Sequence, residues 1–354
     1  MEILIPELSD VTRTLLSILC ICLTLIWGIH KWNRRHKERL ASKFPGPTAL
    51  PIIGNALTLL NRTQYDLLRI ITGLCEEYGS PFKFWLGSKL LVIITKPEDI
   101  QVLNERRKHF SKNCGNNNDD VNGDIDCPEY LLDAIHNAQE DSIYTYSDTD
   151  KTDEALTFMV AGSETTAQTN CFVLLMLAIH PKYQEKVFEE QYNIFGDTDR
   201  FITPDDLDKM EYLEQAIKET LRLYPVVPIF VRQAEEDTKL TQNYVLPAGA
   251  TAVIFPFFTH YDTELWPEPN KFNPDNFTAE KMANRHKYAF IPFSGGARGC
   301  IGNKYSMIAM KTTLSIFIRQ FRVSTTKKLE DIEVYMDVVL RCKGGWNMKL
   351  ERRL

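Results

Sequence analysis

Near the C-terminal end, Phe293-Ser294-Gly295-Gly296-Ala297-Arg298-Gly299-Cys300-Ile301-Gly302 places four glycines and a cysteine directly ahead of a helical apolar pattern, Tyr305, Ile308, Ala309, Leu314 and Phe317. No other stretch constrains the fold as much. Glycine permits backbone conformations and close approaches that a side chain forbids, so the loop can lie against a large planar ligand. Consecutive amides can donate to sulfur, and the N-terminus of the following helix favours negative charge, which together suit a thiolate. Arg298 is placed to pair with a ligand carboxylate. A phosphate cradle would need the Lys-Ser/Thr of a P-loop or G-x-G-x-x-G spacing, and neither is present. A structural cysteine buried in a turn would not explain why Phe293, Arg298 and Cys300 occur together.

The chain that carries this loop has 354 residues, a formal net charge of −6 and 44% hydrophobic residues, enough for a sizeable core. That balance lacks the basic stripe that nucleic-acid binding requires, so nucleic acid is set aside as a partner. Its eight cysteines contain no C-x-x-C pair, which fits neither a disulfide framework nor a zinc cluster.

Apolar spacing predicts a helix over Tyr65 to Tyr78, then a hairpin from Pro81–Gly87 and Leu90–Thr95. A long helix follows from about Asp153 to His180, stopped by Pro181. Inside it, Ala161-Gly162-Ser163-Glu164-Thr165-Thr166 sets a glycine, a carboxylate and hydroxyls among apolar residues. Glycine there costs about 1 kcal/mol relative to alanine, and a buried Glu164 would need a partner. A threonine can return its hydroxyl to the i−4 carbonyl and bend the helix, opening room for a small ligand; a polar patch facing solvent is the alternative. Further helices are expected over Lys182–Phe195, from Thr203 onward with a proline in the first turn, and over Glu211–Leu223, in which Glu219 and Arg222 are neighbours on one face. After Tyr224-Pro225 the pattern turns β-rich over Val226–Val231, Tyr244–Leu246 and Thr251–Phe255.

Two segments stand apart from this body. Thr14 to Ile29 is an uncharged run of sixteen residues, about 24 Å as a helix, a short span of a bilayer that can thin around it. Lys31, Arg34, Arg35, Lys37 and Arg39 follow it, which predicts an uncleaved anchor with the remainder on the cytosolic side. A cleaved signal peptide would begin basic and end in small residues, unlike this one. Residues 1–40 are thus read as anchor and basic flank, and 41–354 as the body. The second segment, 113–130, is an Asn/Asp/Gly-rich seam. Its Asn118-to-Glu129 spacing resembles a calcium loop but lacks the first aspartate, and a low-complexity stretch meets so degenerate a motif by chance.

The pattern F-x-x-G-x-R-x-C-x-G, matched by Phe293, Gly296, Arg298, Cys300 and Gly302, is the haem-binding signature of the cytochrome P450 family. The chain resembles that family in order as well. A/G-G-x-D/E-T-T/S appears as Ala161–Thr166, E-x-x-R as Glu219–Arg222, and the wording around His286 and Ile291–Gly295 is similar to microsomal insect members of the family-4 clan. The resemblance implies a mainly α fold with small β-sheets, the cytochrome P450 fold, plus the N-terminal transmembrane helix. It implies Cys300 as axial thiolate of haem b, with Arg298 and Arg232 on the propionates and Phe293 shielding the sulfur. Gly296 and Gly302 belong to the cradle, Gly162 makes room for dioxygen, and Glu164 and Thr165 relay protons. Glu219 and Arg222 become a buried structural network. Implied further are insertion of one oxygen atom into an apolar substrate of the fatty acid, hormone, pheromone or xenobiotic class, NADPH electrons through a reductase, cytochrome b5 as a second donor, and the endoplasmic reticulum membrane.

Three departures qualify the resemblance. Asn276 stands where arginine is usual, and Ala161 where many family-4 enzymes carry the glutamate that esterifies haem, so non-covalent haem is expected. Between Ser111 and Leu131 the family places several helices, including a W-x-x-x-R propionate motif, and this chain has only the seam. An internally shortened, incomplete fold is the expectation, and a non-catalytic anchored remnant is the rival reading.

Overall fold

The structure, a computed structural model, describes residues 35–105 and 147–353, with a few isolated positions before residue 35. The Thr14–Ile29 run and the 113–130 seam with its calcium-loop spacing lie outside the described residues, isolated positions of the former aside. Among the described residues no helix is long and apolar enough to cross a membrane.

After a helical stretch at residues 35–41, helix α1 (Gln64–Tyr78) begins at a capping box in which the Thr63 amide donates to Asp66 at 3.0 Å, and ends at Gly79 with φ +71°. The expected hairpin comes next as β1 (Phe82–Leu86) and β2 (Lys89–Ile94), antiparallel with Phe82 opposite Ile93. A short helix, α2 (Pro97–Glu105), succeeds it. The long helix α3 spans Asp148–Ile179, starting five residues before the apolar pattern does. Its first turns are polar and invisible to periodicity, but Ser147 and Asp150 form a capping box, the Asp150 amide donating to Ser147 Oγ at 3.2 Å. Then come α4 (Pro181–Phe195), α5 (Pro204–Lys209) and α6 (Glu211–Leu223), at the places the sequence indicates.

The region after α6 is less β-rich than expected. Residues 226–229 form no strand, because Pro225 and Pro228 lack amide hydrogens and cannot join a ladder; strand β3 is only Phe230–Gln233. Beyond it lie a short pair, β4 (Thr238–Lys239) with β5 (Val245–Leu246), and then β6 (Thr251–Ile254). Strand β6 lies parallel to β2, Leu91 opposite Thr251, and antiparallel to β3, Arg232 opposite Ala252, completing a sheet of order β1-β2-β6-β3. The last helix, α7 (Asn303–Gln320), leads into β7 (Phe321–Ser324), a hairpin of β8 (Val334–Met336) and β9 (Leu340–Cys342), and β10 (Lys349–Arg352), which pairs with β7.

The helical core is the meeting place of α3, α4, α6 and α7, where Val173, Leu177, Val187, Leu213, Ile217, Leu314 and Ile318 are buried together. At roughly 1.5–3 kcal/mol for each large apolar side chain removed from water, this cluster is what fixes α7, and hence the loop before it, against α6. One face of the main sheet is covered by Phe82, Phe84, Phe172 and Val253 with α1, the other by Val92, Ile94, Ile100 and Ile254. The two central strands, β2 and β6, therefore read as nearly continuous apolar runs rather than alternating ones.

Candidate functional site

Behind the loop, α6 carries a saturated ion pair. Glu219 and Arg222 are both fully buried. Arg222 Nε and Nη2 donate to the two Glu219 carboxylate oxygens at 2.8 Å each, Nη1 to the carbonyls of His260 (2.9 Å) and Pro269 (2.8 Å), and Nη2 also to Lys271 O at 3.0 Å. All five guanidinium hydrogens thus have an acceptor. Burial pushes the Glu219 carboxyl above its ordinary range, and Arg222, the Asn273 amide (2.9 Å) and Asn276 Nδ2 (3.2 Å) pull it back toward the charged form.

Asn276, standing where the resemblance leads one to expect arginine, does two things. Its amide donates to Glu219, and its carbonyl accepts from Arg285 Nη1 at 2.9 Å. Arg285 lies 3.8 Å over the ring of buried Trp266, whose other near cation is Arg222 at 5.1 Å. A second guanidinium therefore reaches this network through an indole ring rather than from position 276.

The loop itself is held from two sides. Gly296 adopts φ +67°, and a Cβ there would lie 2.5 Å from the Asn104 carbonyl oxygen, so only glycine lets the loop rest on the end of α2. Asn104 is buried beneath Gly295 and Gly296, and neither polar atom of its carboxamide has a partner among the described residues. From the other side, Arg232 Nη2 on β3 donates to Ser294 Oγ at 2.7 Å and to Arg298 O at 3.4 Å. Within the loop the Cys300 amide donates to Phe293 O at 2.9 Å and the Gly299 amide to Gly296 O at 3.0 Å. This fold of the loop leaves the Cys300 thiol exposed, with Gly302 bringing no side chain beside it, while Phe293 packs on the helical core. Ile301 and Tyr305 are 86% and 74% exposed.

The polar patch of α3 follows expectation in part. Thr165 Oγ1 donates to Ala161 O at 2.7 Å, the backbone return expected of it, and a Cβ on Gly162 would meet open space. Glu164, for which burial with a partner and exposure to solvent were both open, is about one-third exposed and ion-paired with Arg341 of β9. The first half of α3 lies at the surface, so its carboxylate needs no buried partner; Leu156, Met159 and Val160 there are exposed too, on the same helical face.

The structure thus places Phe293, Gly296, Arg298, Cys300, Gly302 and Arg232 in one assembly, and Glu219 with Arg222 in another directly behind it. Gly162, Glu164 and Thr165 lie together on α3. Asn104, His260, Trp266, Arg285 and Arg341 escaped sequence reasoning. Only Trp266, in a Trp-Pro run, carried a local signal; the others act through contacts far along the chain.

An exposed thiol with apolar neighbours, flanking guanidinium groups, glycines without side chains and an unpaired buried carboxamide fit a large planar apolar group that bears carboxylates and a thiolate-ligated metal. Haem has that chemistry.

The cytochrome P450 family model matches residues 116–345 of the chain. Among curated proteins, cytochrome P450 4g1 of Drosophila melanogaster is 42% identical over 63% of this chain and 40% of its own length. Cytochrome P450 4V2 of Pongo abelii is 40% identical over 63% and 42%, and cytochrome P450 4c21 of Blattella germanica 36% identical over 72% and 51%. The chain spans about two fifths to one half of the length of these relatives.

Proposed function

Because this chain belongs to the cytochrome P450 family, whose members hold haem b and draw electrons from NADPH through a reductase, we propose that it is a haem-thiolate monooxygenase inserting one oxygen atom from O2 into a small apolar substrate. The observation that carries this reading is the Cys300 thiol, exposed at the end of a loop whose backbone is fixed on both sides.

In this reading Cys300 supplies the sulfur ligand, and Arg298 and Arg232 pair with the propionates. When bound, the haem activates dioxygen, its thiolate ligand favouring O–O cleavage. Phe293 keeps water from the sulfur on the core side, and Gly296 and Gly302 keep side chains out of the cradle. Gly162 leaves space on α3, where the Thr165 hydroxyl, now returned to Ala161 O, would turn to hand on a proton delivered by Glu164. That role requires Glu164 to leave Arg341 for part of the cycle. Glu219 and Arg222 hold the loop's support without touching the reacting atoms. Residues 1–40 would anchor the 41–354 body on the cytosolic face of the endoplasmic reticulum membrane, where the reductase and cytochrome b5 would meet it. Ala161, with no carboxylate to offer, leaves the haem non-covalent.

A second reading, a haem-binding or inert remnant without catalysis, is favoured by one observation: the apolar residues of the first half of α3 stay exposed. Titration of the full chain in detergent with haemin separates the two. One equivalent bound, with a Soret maximum that shifts in Cys300→Ala and a protein mass free of haem after denaturation, supports the ligand assignment. No saturable binding, or an unchanged band in Cys300→Ala, would sink it. NADPH-dependent O2 uptake with reductase then divides enzyme from remnant.

A further inference from the structure

His260 is wholly buried, and each of its ring nitrogens has a backbone partner on a different element. Nδ1 lies 3.2 Å from the carbonyl oxygen of Arg222 at the end of α6, and Nε2 lies 3.0 Å from the amide nitrogen of Ile291, at the start of the run into the cysteine loop. A carbonyl can only accept and an amide can only donate, so the ring is neutral, protonated on Nδ1 with its Nε2 lone pair facing Ile291. Burial and the nearby Arg222 charge push its pKa down to about 3, which keeps that lone pair available. The backbone of His260 is engaged as well, its carbonyl accepting from Arg222 Nη1 at 2.9 Å.

The residues after Ile291 link this contact to the sulfur. Pro292 has a fixed φ and no amide hydrogen, Ile291 O accepts from the Ser294 amide at 3.1 Å, and Phe293 O accepts from the Cys300 amide at 2.9 Å. The position of Ile291 is therefore passed through one stiff residue, Pro292, to the Phe293 carbonyl that holds Cys300. We infer that His260 is a positioning residue, clamping the cysteine loop onto the Glu219–Arg222 network through its Nε2–Ile291 hydrogen bond. This inference rests on the haem-thiolate reading for its consequence, but the clamp itself concerns only this chain's atoms.

Two polar variants isolate the contact. In His260→Gln the side-chain oxygen reaches the place of Nε2 and accepts from Ile291. In His260→Asn the shorter amide still serves the Arg222 carbonyl but falls short of Ile291. The first readout is hydrogen exchange of the haem-free protein. In His260→Asn, amides over 289–302 exchange about tenfold faster than in His260→Gln, while 213–221 stay as protected as in the wild type. The second is the ferrous–carbon monoxide spectrum, in which His260→Asn loses thiolate-type band in favour of the thiol-type one and His260→Gln keeps it. Equal exchange over 289–302 in the two variants, or equal acceleration over 213–221, would overturn the inference. A wild type with no thiolate band would overturn the haem reading alone, and the exchange result would still decide the clamp.

Discussion

The two halves of α3 meet opposite surroundings. From Phe172 to Leu177 its large side chains have no exposed surface apart from Leu174, whereas Met159 and Val160, three turns earlier, are 62% and 60% exposed. The same division runs through the site. Arg222 and Glu219 have every strong hydrogen-bonding group matched by the chain's own atoms, yet Cys300, Ile301 and Tyr305, on the loop and helix they support, face outward. Buried polar groups left unmatched are costly and matched ones specify a single arrangement, so the Glu219–Arg222 pair behind the loop is fixed by the chain's own atoms. Apolar side chains kept at the surface in a contiguous stretch of helix mark a face that takes a ligand or partner. The matched polar groups therefore lie behind the cysteine loop, and the exposed thiol and apolar side chains lie on the loop and on the first half of α3.

The largest expected effect is on the first side of that division. Arg222→Leu leaves Glu219 buried without its cation, and stability should fall by roughly 3–5 kcal/mol in urea unfolding; a loss under about 1 kcal/mol would show that the network is dispensable. Arg285→Met removes the stack on Trp266 and the hydrogen bonds to the Leu265 and Asn276 carbonyls, at an expected cost of about 1–3 kcal/mol in the same measurement. Since Asn276 stands beside Glu219, Asn276→Arg in that background should recover part of the loss; no recovery would mean that Arg285 acts by packing alone. Arg341→Ala, which breaks a partly exposed pair with Glu164, should change stability by less than about 1 kcal/mol. Smallest of all, Met159→Ser on the outward half of α3 should change the haem-free stability by no more than about 0.5 kcal/mol. A larger drop would mean that this face is already packed.

The sequence exposed one side of this division far better than the other. Apolar periodicity located α1, α4 and α6 closely, because each buries one stripe against the core and local spacing reports that directly. The cysteine loop was equally legible, since its glycines and thiol are consecutive. The start of α3 was not, because polar turns carry no apolar period and its signal was the Ser147–Asp150 box. Residues 226–229 looked like a strand by composition, but two prolines withheld the amides a ladder needs. The apolar helix around Glu164 left burial and a solvent-facing patch both open; the structure puts that half of α3 at the surface, with Arg341 arriving from 177 residues away. His260 and Arg285 were silent for the same reason. Their partners lie in other elements, and one histidine or arginine in a loop has no spacing to betray it.

The reduced carbon monoxide difference spectrum of membranes expressing the whole chain tests the central claim most directly, that a fixed scaffold holds Cys300 ready for haem. A red-shifted Soret band of thiolate-ligated ferrous haem, abolished by Cys300→Ala, is the expected result. No such band, with the folded chain demonstrably present and haemin supplied, would contradict it.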